Sequence, residues 1–304
     1  MTLRIGPNEW IIFDTSVVRG IIAGEPEAID LASLAAVRRK HPIALADGAP
    51  AETFDWLLHR APEEMFARVA PALDELNPLL DPEFPIAPGG GMLSAFAGLA
   101  SFPQGSNRRD LSREAKAIWD QLRTIRKRED LFRPLRYRDS TGNVRVREFQ
   151  GPGPVLKVMQ DGWIAHDIAK LAQRRAAQAA AKGEEYRGLT DDEAEQIARN
   201  SQRRLAKFLR VPPEGPGFAR LELQGRYFAQ RTREAARPSY KPPKEPSSNP
   251  AVDTALLNYM LLPAVVCTAD KKFINAIRQI PLADALRLMT PAELLAWLAF
   301  HLAS

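Results

Sequence analysis

Four acidic side chains, Asp14, Glu52, Asp253 and Asp270, are the residues of this sequence best suited by type and position to do chemistry. Asp14 directly follows the apolar run Trp10-Ile-Ile-Phe13 and precedes Thr15 and Ser16. Asp270 lies just beyond a second apolar run, Ala264-Val-Val-Cys267. Short apolar runs of this kind read as buried strands. In an open α/β sheet, ligands bind outside the carboxyl ends of the strands, so both aspartates are expected in that crevice. Asp253 lies one helix upstream of Asp270, and Glu52 near the start of its own helix, so both can point to the same end. Four carboxylates at one site repel one another unless a hard cation neutralises them. Mg²⁺ or Mn²⁺ suits such a site, because each takes a few carboxylates together with waters and substrate phosphate. A cation there activates water for in-line displacement at phosphorus. Each acid also has an ordinary reading: Asp14 or Asp253 as a helix N-cap, Glu52 as a solvated side chain. Asp47 and Asp55 could take the place of Glu52.

The elements that must position these acids follow from pattern and punctuation. Pro42-Ile-Ala-Leu-Ala46 is expected to form another short strand, and Pro50 opens a helix to His59. Helices are expected over 26–39, 62–80, 110–133, 162–183, 189–210, 217–236, 251–262, 271–280 and 291–302. Tyr137 to Phe149 alternates around Ser140-Thr-Gly-Asn143 and predicts a hairpin. Pro82 to Gly91 and Val211 to Gly217 read as breaks, with Gly89-Gly-Gly91 as a hinge, since it lacks the Gly-Lys-Ser/Thr ending of a phosphate loop. Arg237 to Pro250, with five prolines, reads as an extended linker. Strands alternating with helices at both ends of the chain predict an α/β fold with a parallel sheet.

Cys267 is the single cysteine of 304 residues, which excludes a disulfide framework and a multi-cysteine zinc site. It is expected to be a small core residue rather than a nucleophile. The four histidines share no ligand spacing. No signal-like segment opens the sequence, and the longest nearly apolar stretch, Leu256 to Cys267, is too short to span a bilayer. A reducing, cytoplasmic setting without membrane association is therefore expected. The net charge of +5 conceals a split: residues 100–245 hold 31 Lys/Arg against 19 Asp/Glu, and the remainder 11 against 18. A basic middle between acidic ends suits a polyanionic partner.

The set Ile-Ile-Phe-Asp14-Thr-Ser16, Ala-Pro-Ala-Glu52, Asp253-Thr-Ala-Leu-Leu and Val-Val-Cys-Thr268-Ala-Asp270-Lys-Lys-Phe273 resembles the PIN-domain nucleases, a family that includes toxins of bacterial toxin–antitoxin pairs. The resemblance covers 1–60 and 251–304. It implies a PIN-like Rossmannoid parallel sheet flanked by helices, split by a basic, mostly helical insertion and proline-rich linker over 61–250. Glu52 and Asp253 stand 201 positions apart, where compact members of the family have several dozen. The implied activity is metal-dependent hydrolysis of phosphodiester bonds in RNA, or in single-stranded DNA, in toxin–antitoxin or antiviral roles. By the same resemblance Asp14, Asp253 and Asp270 ligate Mg²⁺ or Mn²⁺, directly or through water, and Glu52 completes the acidic cluster. Thr15, Ser16 and Thr268 hold waters or orient the carboxylates, and the resemblance further implies an inhibitory protein partner or a homo-oligomer.

Within the insertion, Arg126, Lys127, Arg128, Arg133, Arg136 and Arg138 form one basic stretch, and Arg203, Arg204 and Lys207 lie on a basic helix. Next to an acidic metal site, such surfaces suit a single nucleic-acid strand, with guanidinium groups on phosphates and aromatic rings under bases. Burial tendency nonetheless places Phe132, Phe208 and Phe228 in the helical core. Two other classes of function remain open. One is a non-catalytic nucleic-acid-binding scaffold of the same fold. The other is an aspartate-nucleophile phosphatase built on Phe13-Asp14-Thr15, although that chemistry commonly wants an Asp where Ser16 stands.

Overall fold

The computed structural model describes residues 9–25, 28–147, 164–213, 215–237, 239–240 and 254–302. Asp253 and most of the proline-rich stretch 237–250 lie outside these residues. The chain runs β1 (Trp10–Phe13), α1 (Thr15–Ala23), α2 (Leu31–Val37), β2 (Ile43–Leu45), α3 (Ala49–His59), α4 (Phe66–Leu76), α5 (Gly90–Phe96) and α6 (Arg108–Arg123). It continues through β3 (Leu135–Arg138), β4 (Val144–Arg147), α7 (Ile164–Ala181), α8 (Asp191–Phe208) and α9 (Glu222–Ala235). It ends with β5 (Ala264–Cys267), α10 (Lys271–Arg278), β6 (Leu288–Met289) and α11 (Pro291–Leu302).

Four short strands form one parallel sheet in the order β2-β1-β5-β6. Their sequences are continuously apolar because helices cover both faces, the usual condition of a parallel sheet. Ile11, Ile12, Phe13, Val265, Val266 and Cys267 are buried accordingly. The chain leaves β1 for β2 on one side and reaches β5 on the other, so a topological switch point lies between β1 and β5. Such a point is where α/β sheets open a ligand crevice. The register pairs Phe13 with both Leu45 and Cys267, so Asp14, Ala46 and Thr268 leave the sheet side by side. Backbone bonds continue the ladder past the strand ends, from Asp14 N to Cys267 O (2.9 Å) and from Ala46 N to Phe13 O (2.9 Å).

Residues between 61 and 250 join the same core. Phe66, Val69, Leu73 and Leu76 of α4, Trp119 and Leu122 of α6, and Leu223 and Tyr227 of α9 belong to one buried apolar cluster with the sheet. The expected hairpin is present as the antiparallel pair β3–β4, with Arg136 opposite Val146 and Arg138 opposite Val144. Three expectations give way, the first being the helix over 110–133, which ends at Arg123 and is followed by a 3₁₀ turn over Arg128–Phe132. Gly89 to Gly91 is no hinge: Gly89 caps the start of α5 and Gly90 and Gly91 form its first turn. The segment before β5 tightens into a 3₁₀ helix over Leu257–Leu261. No helix among the described residues is long and apolar enough to cross a membrane.

Leu73 is fully buried on α4, within the cluster that includes the sheet. Leu73→Ala is expected to lower stability by about 2–5 kcal/mol, through lost burial and the cavity left behind. The midpoint of denaturant unfolding, followed by far-ultraviolet circular dichroism, checks this.

Candidate carboxylate site at the strand ends

Asp14 caps α1 and is buried at the end of β1. Its Oδ2 accepts hydrogen bonds from the hydroxyls of Ser16 (2.7 Å) and Thr268 (2.8 Å), and these two hydroxyls lie 3.2 Å apart. Ser16 Oγ also accepts the N–H of Ala269 (2.8 Å), and Thr268 Oγ1 that of Asp270 (3.1 Å). Two hydroxyls thus bind the carboxyl end of β1 to that of β5. Asp270 in turn caps α10, its Oδ1 accepting from Phe273 N (2.9 Å). The ordinary N-cap role expected of Asp14 is therefore present, Asp270 takes the same role without having been expected to, and Asp253 lies outside the described residues.

Glu52 sits in the first turn of α3, which Pro50 opens, and its Oε2 accepts from the Thr15 hydroxyl. Removal from water raises the Glu52 pKa to about 7; the Thr15 hydroxyl opposes this rise and the charge of Asp14 adds to it. Arg19, one turn after Thr15 on α1, donates from Nη2 to Glu52 O (3.1 Å). Its Nε is buried without a hydrogen-bond partner. Burial lowers the guanidinium pKa, while the charges of Glu52 and Asp14 work to hold it up. Arg19 is a member of the site that the sequence reading missed.

Asp14, Asp47 and Glu52 line one narrow cleft with Leu256 and Tyr259. Its volume is about 10 Å³, room for roughly one water or one small cation. Asp47 donates its N–H to the buried Tyr259 hydroxyl (2.7 Å), which lies 3.2 Å from Asp47 Oδ1. Removal from water raises the Asp47 pKa, and hydrogen bonds from the Tyr259 hydroxyl and the Gly48 N–H oppose the rise. The Asp47 carboxylate fills the space where a Cβ on Gly89 would stand, which accounts for glycine there. Burial also raises the pKa of the Cys267 thiol, in keeping with a core residue.

The donor chemistry fits a hard cation in part. Among the described residues nothing donates to Asp14 Oδ1, Glu52 Oε1 or Asp270 Oδ2, while the other oxygen of each carboxylate is held by the fold. Among the described residues, however, no three His, Cys, Asp or Glu side chains come close enough together to hold a metal. A Mg²⁺ or Mn²⁺ ion here would take one or two of these carboxylates and fill its shell with water and phosphate, a habit of Mg²⁺ sites.

The nine basic residues singled out in the sequence do not share one surface. Arg133, Arg136 and Arg138 line a groove between α6 and the β3–β4 hairpin, joined by Arg113 and Lys116, which the sequence reading missed. Arg128 turns away to Leu58 O (2.8 Å) and Glu63, over the Phe66 ring. Arg126 bonds the carbonyls of Arg123 (2.5 Å) and Ile125 (3.1 Å), and Lys127 lies 3.9 Å from Glu129. Arg203, Arg204 and Lys207 are exposed on α8. Phe132 and Phe208 are 58% and 64% exposed, against the expectation that they enter the core, and Phe228 is partly buried.

A Glu52 pKa raised from 4.5 to about 7 favours the protonated folded state. That stabilisation is complete below pH 4.5 and is lost as pH rises through about 7. Glu52→Gln is accordingly expected to be more stable than the native chain above pH 7 by about 1–2 kcal/mol, and nearly equal to it at acidic pH. Urea unfolding across pH 4–8 checks the difference.

Compared with known proteins, the chain matches no family model, no curated protein and no solved structure.

Proposed function

We propose that this chain is a PIN-like, metal-dependent nuclease that hydrolyses phosphodiester bonds in RNA or single-stranded DNA. The supporting observation is the junction of Asp14 and the Thr268–Asp270 segment through shared hydroxyls at the switch point of a parallel sheet. A hard divalent cation bound there would generate a hydroxide nucleophile near neutral pH and offset charge on the phosphate. Asp14, with its Oδ1 uncommitted, and Asp270 are the described carboxylates assigned to hold it, and Asp253 is assigned with them from the sequence. Ser16 and Thr268 fix the orientation of Asp14, and Thr15 fixes Glu52. Arg19 balances part of the negative charge before substrate arrives. A defence or toxin–antitoxin setting under an inhibitory partner rests on the sequence resemblance alone.

A non-catalytic scaffold is the second reading. It is favoured by the capping roles of Asp14 and Asp270 and by Arg19 as a built-in countercharge.

End-labelled single-stranded RNA and DNA, incubated with Mn²⁺ or with EDTA, separate the two readings. Cleavage is expected with Mn²⁺ only, and is expected to vanish in Asp14→Asn and Asp270→Asn. Asn caps a helix as well as Asp does, so both variants keep their caps and fold. Thr268→Val, which loses the orienting hydroxyl, is expected to retain activity reduced by about 10–100-fold. Cutting that survives EDTA or both Asn variants contradicts the nuclease. Binding without cutting moves the assignment to the scaffold.

A further inference from the structure

We propose that the groove between α6 and the β3–β4 hairpin is a second binding site, which holds the sugar-phosphate backbone of a single nucleic-acid strand. The proposal rests on the nucleic-acid reading above. The groove encloses about 860 Å³, and none of its lining residues lines the carboxylate cleft.

Its charge is one-sided. Arg113, Lys116, Arg133, Arg136 and Arg138 line it against a single acid, Asp120, which lies 3.5 Å from Arg123. Lys116 and Arg136 are exposed, and neither has an ion-pair or hydrogen-bond partner among the described residues. Among the described residues Arg138 donates only to the Gly142 carbonyl (3.1 Å), a neutral acceptor. Arg133 is the exception, being paired with the buried Asp130 at 2.7 Å.

The hairpin that carries these arginines is fixed to α6. Asp139, buried at its turn, accepts from Thr141 N (3.0 Å), Thr141 Oγ1 (2.6 Å), Asn143 N (3.0 Å) and Arg145 Nε (2.8 Å). These bonds, that of the Thr141 hydroxyl foremost, hold the Asp139 carboxyl at a pKa of about 2. Asp110 of α6 accepts from both the Ser140 N–H and the Ser140 hydroxyl, and Arg113 donates to Asp139 O. Cations on so constrained a support lose little freedom when they bind.

The nuclease reading selects a nucleic-acid strand as the polyanion, with an acidic peptide as the competitor that the test must exclude. Arg136 and Arg138 stand two residues apart on β3, about 6.8 Å, comparable to the step between successive phosphates of an extended strand. Leu135 and Tyr137 lie on the other face of β3, Leu135 buried and Tyr137 half-buried, so the exposed face carries the two cations.

The test is anisotropy of short fluorescein-labelled RNA and DNA strands, titrated with the full chain carrying Asp14→Asn, in EDTA. Adding Arg136→Ala with Arg138→Ala is expected to weaken binding about tenfold or more. It is also expected to make the slope of log K against log salt shallower by about 1.4, as two phosphate contacts on a single strand require. Arg39→Ala with Lys40→Ala removes the same charge from an exposed turn elsewhere and is expected to leave binding within about twofold. Equal weakening in both double variants overturns the proposal, as does no binding by the starting chain. An acidic peptide held as tightly, with the same dependence on Arg136 and Arg138, also overturns it. Mn²⁺-dependent cleavage by the native chain reads the nuclease separately, so either proposal can fail without the other.

Discussion

The bond pair from Ser16 and Thr268 to a single oxygen of Asp14 is the interaction on which the rest of the site depends. The two hydroxyls come from opposite ends of the chain and meet only because β1 and β5 lie side by side in register. The sheet therefore does more than supply a core. It sets the distance between two strand ends, and the hydroxyls convert that spacing into a fixed carboxylate orientation. Thr268 also takes the N–H of Asp270, so the direction of the loop into α10 is set by the same contact.

Around this junction the protein gathers more negative charge than it neutralises. Glu52 and Asp47 both line the cleft with Asp14, and both have pKa values raised by withdrawal from water. Arg19 offsets part of that charge, with one buried donor left unpaired. An unsatisfied donor and a carboxyl close to neutrality are costly features that a purely structural cluster could avoid by apolar replacement. Their retention fits a site that completes its charge balance when a cation and a phosphate arrive. On the proposed reading, the basic groove beside α6 would supply the opposite field for a strand that an acidic cleft alone repels.

Much of this was legible in the sequence, for physical reasons. The runs before Asp14 and Asp270 are continuously apolar because the strands are buried on both faces; Asp14 follows its run directly and Asp270 stands three positions after the end of its own. The hairpin showed through its alternation and its Thr-Gly-Asn turn. By contrast, β6 has only two residues and leaves no periodic signal. Gly89 to Gly91 looked like punctuation, yet Gly89 is needed so that Asp47 can lie against it, a contact between residues 42 positions apart. Arg19 looked like an ordinary helix-surface residue, since its role depends on Glu52 being packed opposite. The basic stretch misled in one respect. Charge density along the chain grouped Arg126 and Arg128 with Arg136, whereas the fold groups Arg136 with Lys116 of α6.

The central claim is that the carboxylates at the β1 and β5 ends form a site for a hard divalent cation. Mn²⁺ binding, followed by electron paramagnetic resonance of the free ion, tests it without substrate or turnover. The account predicts one Mn²⁺ per native chain, displaced by excess Mg²⁺ and lost in Asp14→Asn. A native chain that leaves Mn²⁺ free, or an Asp14→Asn chain that binds it equally well, would contradict the account.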